Sequence, residues 1–443
     1  MKVTFVLPAI GKKPGERYIG TWKMEPLTIA VLAALTPAGV ETEFFDDRIE
    51  LIDYDTPTDL VAITVETYTA RRAYAIAARF RARGVPVVLG GYHVTLLPGE
   101  AAQHADAIVV GNAESVWADV VGDAARRALR PRYEGSRGAD HLAPDRRIFA
   151  GKKYLPVGLV ETGRGCGYSC EFCAIAGYYG AHYHPRPLDA VVADVAASPH
   201  AVQFLVDDNL AADPGNVHEL CERIGPLKVK WAAQGTLTLA QDPALLRLMR
   251  QAGCELVLIG FESLEDASLA AMGKRWSTAL GERMELVERV HDAGIGIYAT
   301  FVLGYDGDTP DTFARTLDFA KQARFHTAAF NHLLPFPGTR LYRRLAREGR
   351  LLRERWWLDD DYRYGELAYR PALMSAQEVT DLCRQARKEF AGWRVTLDRG
   401  VHALRRSGLA AWPIYWVMNA RIGGEVDEKF DVPIGWNLDE LPK

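Results

Sequence analysis

The chain has 443 residues, of which 48% are hydrophobic and 25% charged, proportions that are ordinary for a globular protein. Its 53 basic and 57 acidic residues give a formal net charge of −4. The chain therefore lacks the excess of basic residues that is typical of proteins that bind nucleic acid or an anionic membrane. No apolar run is long enough to span a membrane, and the N-terminus reads as a strand rather than a signal peptide. We therefore expect a cytoplasmic protein of about two or three domains.

Short apolar strands alternate with helices in the first third of the chain. The predicted strands are Val3–Ala9, Thr42–Phe45, Leu60–Val65, Val87–Leu89 and Ala107–Val110. This alternation is typical of a doubly wound (flavodoxin-like) parallel α/β sheet, whose ligands bind beyond the carboxyl ends of the strands. Gly90, Gly91 and Glu114 follow two such ends and are candidate cofactor-binding residues. The alternative is that Gly90 and Gly91 only form a tight turn and that His93 is a polar residue at the rim.

Three closely spaced cysteines follow a polar linker and the next predicted strand, Leu155–Thr162. Cys166, Cys170 and Cys173 have the spacing C-x3-C-x2-C. Three thiolates on a short loop can hold three irons of a cubic iron–sulfur cluster and leave the fourth iron open. A structural zinc site closes at four ligands and a disulfide would leave an odd thiol, so both are weaker interpretations. The other cysteines stand alone and read as small buried residues: Cys221, Cys254 and Cys383.

With Phe172 before its last cysteine, the motif resembles the signature of radical S-adenosylmethionine (SAM) enzymes, and the resemblance covers nearly the whole chain. It implies a [4Fe–4S] cluster whose open iron chelates the amino and carboxylate groups of SAM. One electron then cleaves the sulfonium and releases a 5′-deoxyadenosyl radical. A flavodoxin- or ferredoxin-type electron donor is therefore an expected partner.

The N-terminal sheet is similar to that of radical SAM enzymes with a cobalamin-binding domain. The loop Ile10–Gly15 lacks the D-x-H-x-x-G motif that supplies a histidine to cobalt in many cobalamin proteins. Because some members of this class keep the domain without cobalamin, binding of cobalamin stays an open alternative.

From Leu155 the alternation of strands and helices restarts. The predicted strands are Leu155–Thr162, Val202–Val206, Val229–Ala233, Leu256–Phe261, Gly296–Leu303 and Ala328–Leu334. Six such units predict a partial (β/α)6 TIM-type barrel, which is also the fold that the resemblance implies. We expect three domains, a cobalamin-binding-like domain over 1–145, the radical SAM barrel over 146–345 and a helical, aromatic C-terminal extension over 346–443.

Active residues of barrels lie at the C-terminal ends of the strands. Asp207 and Asp208 follow the second strand, where the resemblance implies a ligand for the methionine amino group, although both acids could instead cap the next helix. Glu262 ends the fourth strand and is the predicted ribose ligand. The candidate cofactor-binding residues of the barrel are Phe172, Asp207, Gln234, Glu262, Ser263 and Leu334.

The expected reaction begins with abstraction of a hydrogen atom from a small-molecule substrate. Asp207, Asp208 and Asp306 make the predicted mouth acidic, which fits an amino sugar, and they are the candidate catalytic residues. Within the radical SAM class, the sequence resembles the radical dehydratase that removes a sugar hydroxyl group in aminoglycoside (apramycin-type) biosynthesis. The resemblance therefore implies a lyase of antibiotic biosynthesis. The alternatives are a cobalamin-dependent radical SAM C-methyltransferase of a secondary metabolite, and a non-catalytic iron–sulfur protein that senses redox state or cobalamin.

Overall fold

The computed structural model describes residues 1–138, 143–407 and 412–439. Its N-terminal part contains a six-stranded sheet in which every neighbouring pair is parallel. The strands are β1 Lys2–Leu7, β2 Glu41–Asp46, β3 Leu60–Thr64, β4 Val87–Gly90, β5 Ala107–Val110 and β6 Arg132–Glu134. Their order, β2-β1-β3-β4-β5-β6, is the flavodoxin-like order with one strand added. The predicted sheet is confirmed, although the sequence did not predict β6.

Helices cover both faces of this sheet. They are α1 Leu27–Leu35, α2 Ala70–Ala82, α3 Tyr92–Leu96, α4 Pro98–Ala101 and α5 Trp117–Ala125. The apolar residues of α1 and α5 form one buried cluster with the sheet, whereas α2, α3 and α4 form another on the opposite face. The strands are therefore buried on both sides, as expected for a parallel sheet.

A second parallel sheet forms the partial barrel, in the order β14-β13-β12-β11-β10-β7. Its strands are β7 Gly158–Val160, β10 Val202–Leu205, β11 Lys230–Gly235, β12 Cys254–Glu262, β13 Gly296–Leu303 and β14 Thr327–His332. Along the chain, two short strands that pair with each other in antiparallel fashion lie between β7 and β10. They are β8 Gly163–Gly165 and β9 Tyr183–Pro185. Since β7 and β14 end the strand order, the barrel is open between them, which confirms the predicted fold.

The barrel helices pack on the outer face of this sheet. They are α7 Leu188–Ala197, α8 Pro214–Ile224, α9 Pro243–Gln251, α10 Asp266–Ala271, α11 Arg283–Asp292, α12 Pro310–Gln322 and α13 Arg340–Arg347, whereas α6 Ala174–Tyr179 contacts α3 of the N-terminal part. In β13, Ala299 and Phe301 are buried in the core that the helices share, while Tyr298 and Thr300 are partly exposed. Because side chains alternate along a strand, Tyr298 and Thr300 face the barrel lumen.

The C-terminal extension covers the free edge of β14. Its elements are α14 Ala376–Phe390, α15 Trp393–Ser407, α16 Trp412–Gly424, α17 Val426–Lys429 and the short antiparallel pair β15 Arg363–Tyr364 and β16 Val432–Pro433. Arg387 of α14 donates from Nε to the Phe330 carbonyl at 2.9 Å, and the Phe390 and Phe330 rings pack edge to face. No helix in these three described ranges is long and apolar enough to cross a membrane.

Candidate functional site

The cysteine loop lies between β8 and α6, beyond the C-terminal end of the first barrel strand. Cys166, Cys170 and Cys173 are free and partly exposed, while the other three cysteines are buried. Burial raises the pKa of Cys173 to about 12, and the nearby Cys170 and Cys166 thiols act in the same direction. Three partly exposed thiols therefore lie on one loop, and the chemistry of this donor set fits a cluster with one open iron.

The loop is held from the other side of the barrel mouth. The Glu171 amide donates to the Met272 carbonyl at 2.8 Å, and the Tyr168 ring stacks on Trp276 with centroids 3.8 Å apart. Asn209 donates from Nδ2 to Cys166 Sγ at 3.5 Å, while its side-chain oxygen accepts from the Ala211 amide. Asn209 therefore both caps the turn after β10 and contacts a predicted cluster ligand.

Asp207 holds the segment that leads into the cysteine loop. Its Oδ1 accepts from the Thr162 amide at 2.7 Å, and its Oδ2 accepts from the Thr162 hydroxyl and from the Tyr183 hydroxyl at 3.3 Å. Burial raises the pKa of Asp207 to about 7, although these hydrogen bonds oppose the shift. The geometry gives Asp207 a positioning role, and direct contact with SAM stays a prediction.

Asp208 faces the same loop. Its Oδ2 accepts from the Gly165 amide at 2.7 Å, and burial raises its pKa to about 6. Gln234 donates from Nε2 to the Asp208 carbonyl at 3.1 Å, so the ends of β10 and β11 are linked. The alternative of a helix cap fails for both acids, because α8 is capped by Asp213, which accepts from the Asn216 amide.

Glu262 ends β12 at a bulge and has a backbone φ of 62°, in the left-handed region that non-glycine residues seldom adopt. Its carboxylate is buried and forms an ion pair with Lys274 Nζ at 2.8 Å. Lys274 also donates to the Gly260 carbonyl at 2.6 Å and acts electrostatically on Cys170. Sequence reasoning assigned Lys274 no role, because a lysine beyond the end of a strand gives no signal of its own.

The remaining candidates of the barrel are dispersed. Phe172 packs against the barrel core, and Ser263 is buried and accepts from the Glu265 amide at 3.0 Å. Leu334 packs into the cluster formed by α2, α3 and α4 of the N-terminal domain, where it lies between domains. Their contacts with SAM stay predictions.

Asp306 belongs to a network of ion pairs at the outer rim. It pairs with Arg344 and with Arg350, each at 2.7 Å, and Arg344 also binds Glu171 at 2.7 Å. Although burial acts to raise it, the guanidinium groups of Arg350 and Arg344 hold the pKa of Asp306 below its usual value. A carboxylate in this state is a poor proton acceptor, which weakens the predicted catalytic role without testing it.

A cavity with a volume of about 190 Å³ lies where the N-terminal sheet faces the barrel mouth. Its inner end runs between the sheet and α1 and is lined by Phe5, Ile29, Leu32, Ala62 and Trp117. Its outer end is lined by Gly90, Gly91, Tyr92, Glu114, Arg164 and Tyr179. We call this space the interdomain cavity. It lies at the carboxyl edge of a doubly wound sheet, where such folds bind ligands.

The glycines at this edge divide into two kinds. Gly91 has a φ of 103°, and a Cβ there would lie 2.8 Å from the Val65 carbonyl oxygen. Gly111 has a φ of 87°, and a Cβ would lie 2.6 Å from the Gly135 carbonyl oxygen. Tight turns therefore explain these two glycines. Gly90 has no such constraint, because the nearest atom to its Cβ position is Val109 Cβ at 3.8 Å.

His93 corrects a prediction, because it is fully buried rather than a residue of the rim. Its Nδ1 lies 3.3 Å from Thr67 Oγ1 and its Nε2 lies 3.0 Å from Glu100 Oε1, and Glu100 also accepts from Trp357 Nε1. Since these partners occupy both ring nitrogens, His93 cannot reach a ligand in the interdomain cavity.

Direct contacts join the two domains around this cavity. Arg164, two residues before Cys166, pairs with Glu114 of the N-terminal domain at 2.6 Å and with Glu161 at 2.8 Å. Tyr178 and Tyr179 of α6 donate their hydroxyl groups to Asn112 Oδ1 at 2.7 and 3.2 Å. Sequence reasoning named Glu114 as a candidate cofactor-binding residue, which stays a prediction, but it missed Arg164, Asn112, Tyr178 and Tyr179, although a basic side chain beside the cysteine motif was a usable signal. These contacts thus join the cysteine loop and α6 to the edge of the N-terminal sheet that lines the interdomain cavity.

Comparison with known proteins gives concordant results. The family profile of the Radical SAM superfamily matches residues 160–320. Bacteriochlorophyllide d C-12(1)-methyltransferase of Chlorobaculum tepidum is 32% identical over 354 residues, which are 76% of this chain and 77% of that protein. Bacteriochlorophyllide d C-8(2)-methyltransferase of the same organism is 28% identical and covers 74% and 78%.

Solved structures share the whole arrangement of domains. The radical SAM methyltransferase TsrM of Kitasatospora setae superposes with a TM-score of 0.63 at 18% identity, over 87% of this chain and 82% of that one. The cobalamin-dependent radical enzyme OxsB superposes with a TM-score of 0.65 at 12% identity, over 98% and 77%. At such identities the likeness concerns the fold. Given its cysteine loop, its barrel and a relative 32% identical over most of both chains, the protein belongs to the radical SAM superfamily, and its cofactors are a [4Fe–4S] cluster and SAM.

Proposed function

We propose that the protein is a cobalamin-dependent radical SAM C-methyltransferase. The interdomain cavity is the observation that supports this proposal, because a ligand of the N-terminal sheet bound there would lie beside Arg164, two residues before Cys166. Two relatives that match three quarters of the chain are named as methyltransferases. Methyl transfer to carbon needs two cofactor sites that face one substrate, and the domain arrangement is consistent with that need.

The residues around the interdomain cavity fit a corrinoid. The cavity has an apolar inner end against α1 and a polar outer end, which match the apolar nucleotide base and the amide-bearing ring of cobalamin. No histidine is among the described residues that line it, so a corrinoid would be held without an imidazole on its metal. When bound, the corrinoid supplies the methyl carrier.

Three groups of residues would hold the cluster, orient SAM and join the domains. Cys166, Cys170 and Cys173 hold the cluster, which supplies the electron. Glu262 and Lys274 form a buried, charged pair beside Cys170 and would orient the polar groups of SAM. The ion pair between Arg164 and Glu114 holds the segment that leads into the cysteine loop against the N-terminal sheet.

Dehydration of an amino sugar, the reaction expected from the sequence, has less support. That expectation rested on free carboxylates at the mouth. Asp207 is bound to Thr162, Glu262 to Lys274, and Asp306 to two arginines. Their charges are therefore engaged within the protein and leave few acceptors for ammonium groups of a substrate.

A product analysis tests the proposal. Purified protein is reconstituted anaerobically with iron, sulfide and hydroxocobalamin, then incubated with SAM, a flavodoxin-type electron donor and candidate substrates. Bacteriochlorophyllide d is the first candidate because two relatives are named for it, and aminoglycoside precursors are the competing panel. Methyl transfer should yield S-adenosylhomocysteine and 5′-deoxyadenosine together with a methylated product. Production of 5′-deoxyadenosine alone, with loss of water from an amino sugar, would contradict it and support dehydration.

A further inference from the structure

A second cavity lies where the open side of the barrel meets the C-terminal extension. It has a volume of about 180 Å³, and its walls include Trp22, Tyr298, Asn331, Tyr364, Arg387 and Lys429. We call it the tail cavity. Tyr298 and Asn331 lie on β13 and β14 with their side chains toward the barrel lumen, so the tail cavity is an extension of that lumen.

Positive charge in the tail cavity is not balanced by carboxylates. Its lining residues include Arg387, Arg399 and Lys429, and no aspartate or glutamate is among those that the structure describes. Lys429 is neutralised by Glu425 at 3.1 Å. Arg399 is buried and donates to carbonyl, hydroxyl and amide oxygens, so its hydrogen-bonding capacity is used within the fold.

Arg387 differs from both. Its Nε donates to the Phe330 carbonyl at 2.9 Å and its Nη2 donates to Asn331 Oδ1 at 2.6 Å, and both acceptors are neutral. Within the described part of the chain Arg387 has no ion pair, and its Nη1 has no hydrogen-bond partner. A guanidinium group positioned in this way, with one terminal nitrogen free, is suited to an incoming anion.

Other polar groups around Arg387 also lack partners. The hydroxyl groups of Tyr298 and Tyr364 make no hydrogen bond to a described residue, although both rings line the cavity. Both ring nitrogens of His332 are buried without a partner. Burial, with Arg387 as the second cause, lowers the pKa of His332 to about 3, so its ring is neutral. The Tyr298 and Tyr364 hydroxyl groups, which can donate hydrogen bonds, therefore line the same cavity as the Arg387 charge, whereas His332 is not among the lining residues.

We propose that the tail cavity binds the carboxylate group of the substrate, with Arg387 as its charge partner and the Tyr298 and Tyr364 hydroxyl groups as further donors. The aromatic walls at Trp22 and Phe390 suit an aromatic or alicyclic acid. One free guanidinium matches a single negative charge, which favours a carboxylate over a phosphate dianion. This inference rests on the proposed function in treating the barrel lumen as the substrate site.

Equilibrium binding of an acid and its ester provides the test. The full-length reconstituted protein is titrated with 1-pyrenebutyrate and with 1-pyrenebutyrate methyl ester, and fluorescence anisotropy is measured. The acid should bind about tenfold or more tightly than the ester, as one charge-assisted hydrogen-bonded pair predicts. Arg387→Gln should abolish this preference by weakening only the acid, and Arg387→Lys should restore part of it. Lys388→Gln is the matched control, because Lys388 is the next residue of α14 and binds Asp427 outside the cavity.

Equal affinity for acid and ester, no binding of the acid, or an equal loss of both ligands in Arg387→Gln would overturn the inference. Displacement of the acid by excess inorganic phosphate would also overturn it and assign the site to phosphate esters. Circular dichroism of each variant identifies a folding defect, and Arg387→Lys keeps the test decisive if Arg387→Gln is unstable. Binding needs neither corrinoid nor turnover, so absence of methyl transfer would contradict the proposed function and leave this result standing.

Discussion

At the scale of single residues, the six cysteines form two groups of three, which differ both in solvent exposure and in their spacing along the chain. Cys166, Cys170 and Cys173 are partly exposed on one loop, whereas the other three are buried in apolar surroundings. Replacing any one of the three loop cysteines with alanine should abolish reductive cleavage of SAM and lower the iron content of reconstituted protein, because each thiolate is a cluster ligand. Iron and sulfide analysis with measurement of 5′-deoxyadenosine checks this.

The control variants replace the buried cysteines, which are Cys221, Cys254 and Cys383. Each change to alanine removes a small apolar group and should cost about 1 kcal/mol of stability with the iron content unchanged. Iron in excess of one cluster in wild-type protein, lost on changing a buried cysteine, would contradict a single site.

Glu262 carries the next prediction. Glu262→Gln keeps the shape of the side chain but removes the charge that pairs with Lys274 at 2.8 Å and would strengthen hydrogen bonds to the ribose. A charge-assisted hydrogen bond contributes about 1.5–3 kcal/mol, so the affinity for SAM should fall by about tenfold or more. Calorimetric titration with SAM measures the change. Glu265→Gln is the matched control, because Glu265 pairs with Arg315 away from the cysteine loop. An equal loss of SAM affinity in this control would contradict the prediction that Glu262 binds the ribose.

The residues that sequence reasoning could find are those whose type and spacing carry the chemistry. Three cysteines in a fixed spacing identify the cluster, and acids at strand ends identify the mouth. The roles of these acids could not be predicted from the sequence, because their partners are not their neighbours in the chain. The partners are Thr162 for Asp207, Lys274 for Glu262 and Arg344 for Asp306. Pairing between side chains of large sequence separation depends on the fold and leaves no local pattern.

At the scale of elements, Asp207 links β10 to the segment that carries the cysteine loop, and this link depends on pH. The pKa of Asp207 in the folded protein is raised to about 7 from an ordinary value near 3.8, chiefly by burial. Between these values the folded state binds a proton that the unfolded state does not, so stability falls as pH rises from about 4 to 7. The loss across this window should be roughly 1 kcal/mol or more.

Asp207→Asn keeps an acceptor for the Thr162 amide and removes the titrating group. The midpoint of thermal unfolding of the holoenzyme, measured across this pH range for both proteins, should decline less steeply in the variant. Asp242→Asn is a suitable control, because Asp242 is an exposed helix cap of α9. Identical pH profiles for wild type and Asp207→Asn would show that Asp207 does not titrate in this range.

The strands with a continuous apolar run could be predicted from the sequence, and the strands without one could not. The predicted strands Ala107–Val110 and Gly296–Leu303 coincide with β5 and β13, since apolar runs of this kind have clear ends. The antiparallel pair of β8 and β9 was not predicted, because each strand has only three residues and neither Gly-Arg-Gly nor Tyr-His-Pro forms an apolar pattern. It nevertheless carries Arg164 and Tyr183, which hold the cysteine loop.

At the scale of the whole molecule, the interdomain cavity exists because two sheets present their carboxyl edges to each other. Either sheet alone predicts a ligand site at its edge, and their relative placement decides whether the two sites face one substrate. That placement rests on Arg164, Glu114, Asn112 and Tyr178, which join the domains through buried polar contacts. Removal of one partner from such contacts costs about 3–5 kcal/mol for a buried ion pair, so the arrangement is specific.

Filling the interdomain cavity should impair binding of a corrinoid without affecting the reaction at the iron–sulfur cluster. Gly90 lies at the cavity edge, and the nearest atom to its Cβ position is Val109 Cβ at 3.8 Å, an ordinary van der Waals distance, so Gly90→Leu adds an isobutyl group where a corrinoid would lie without a clash at Cβ. We expect the corrinoid retained after gel filtration, measured from its visible absorbance, to fall by about tenfold, while iron content and formation of 5′-deoxyadenosine persist. Gly99→Leu is the matched control, because Gly99 also has open space around it but lies on α4, outside the cavity lining. Unchanged corrinoid binding in Gly90→Leu would place the corrinoid elsewhere, and binding by neither variant nor wild type would contradict the cobalamin-dependent reaction itself.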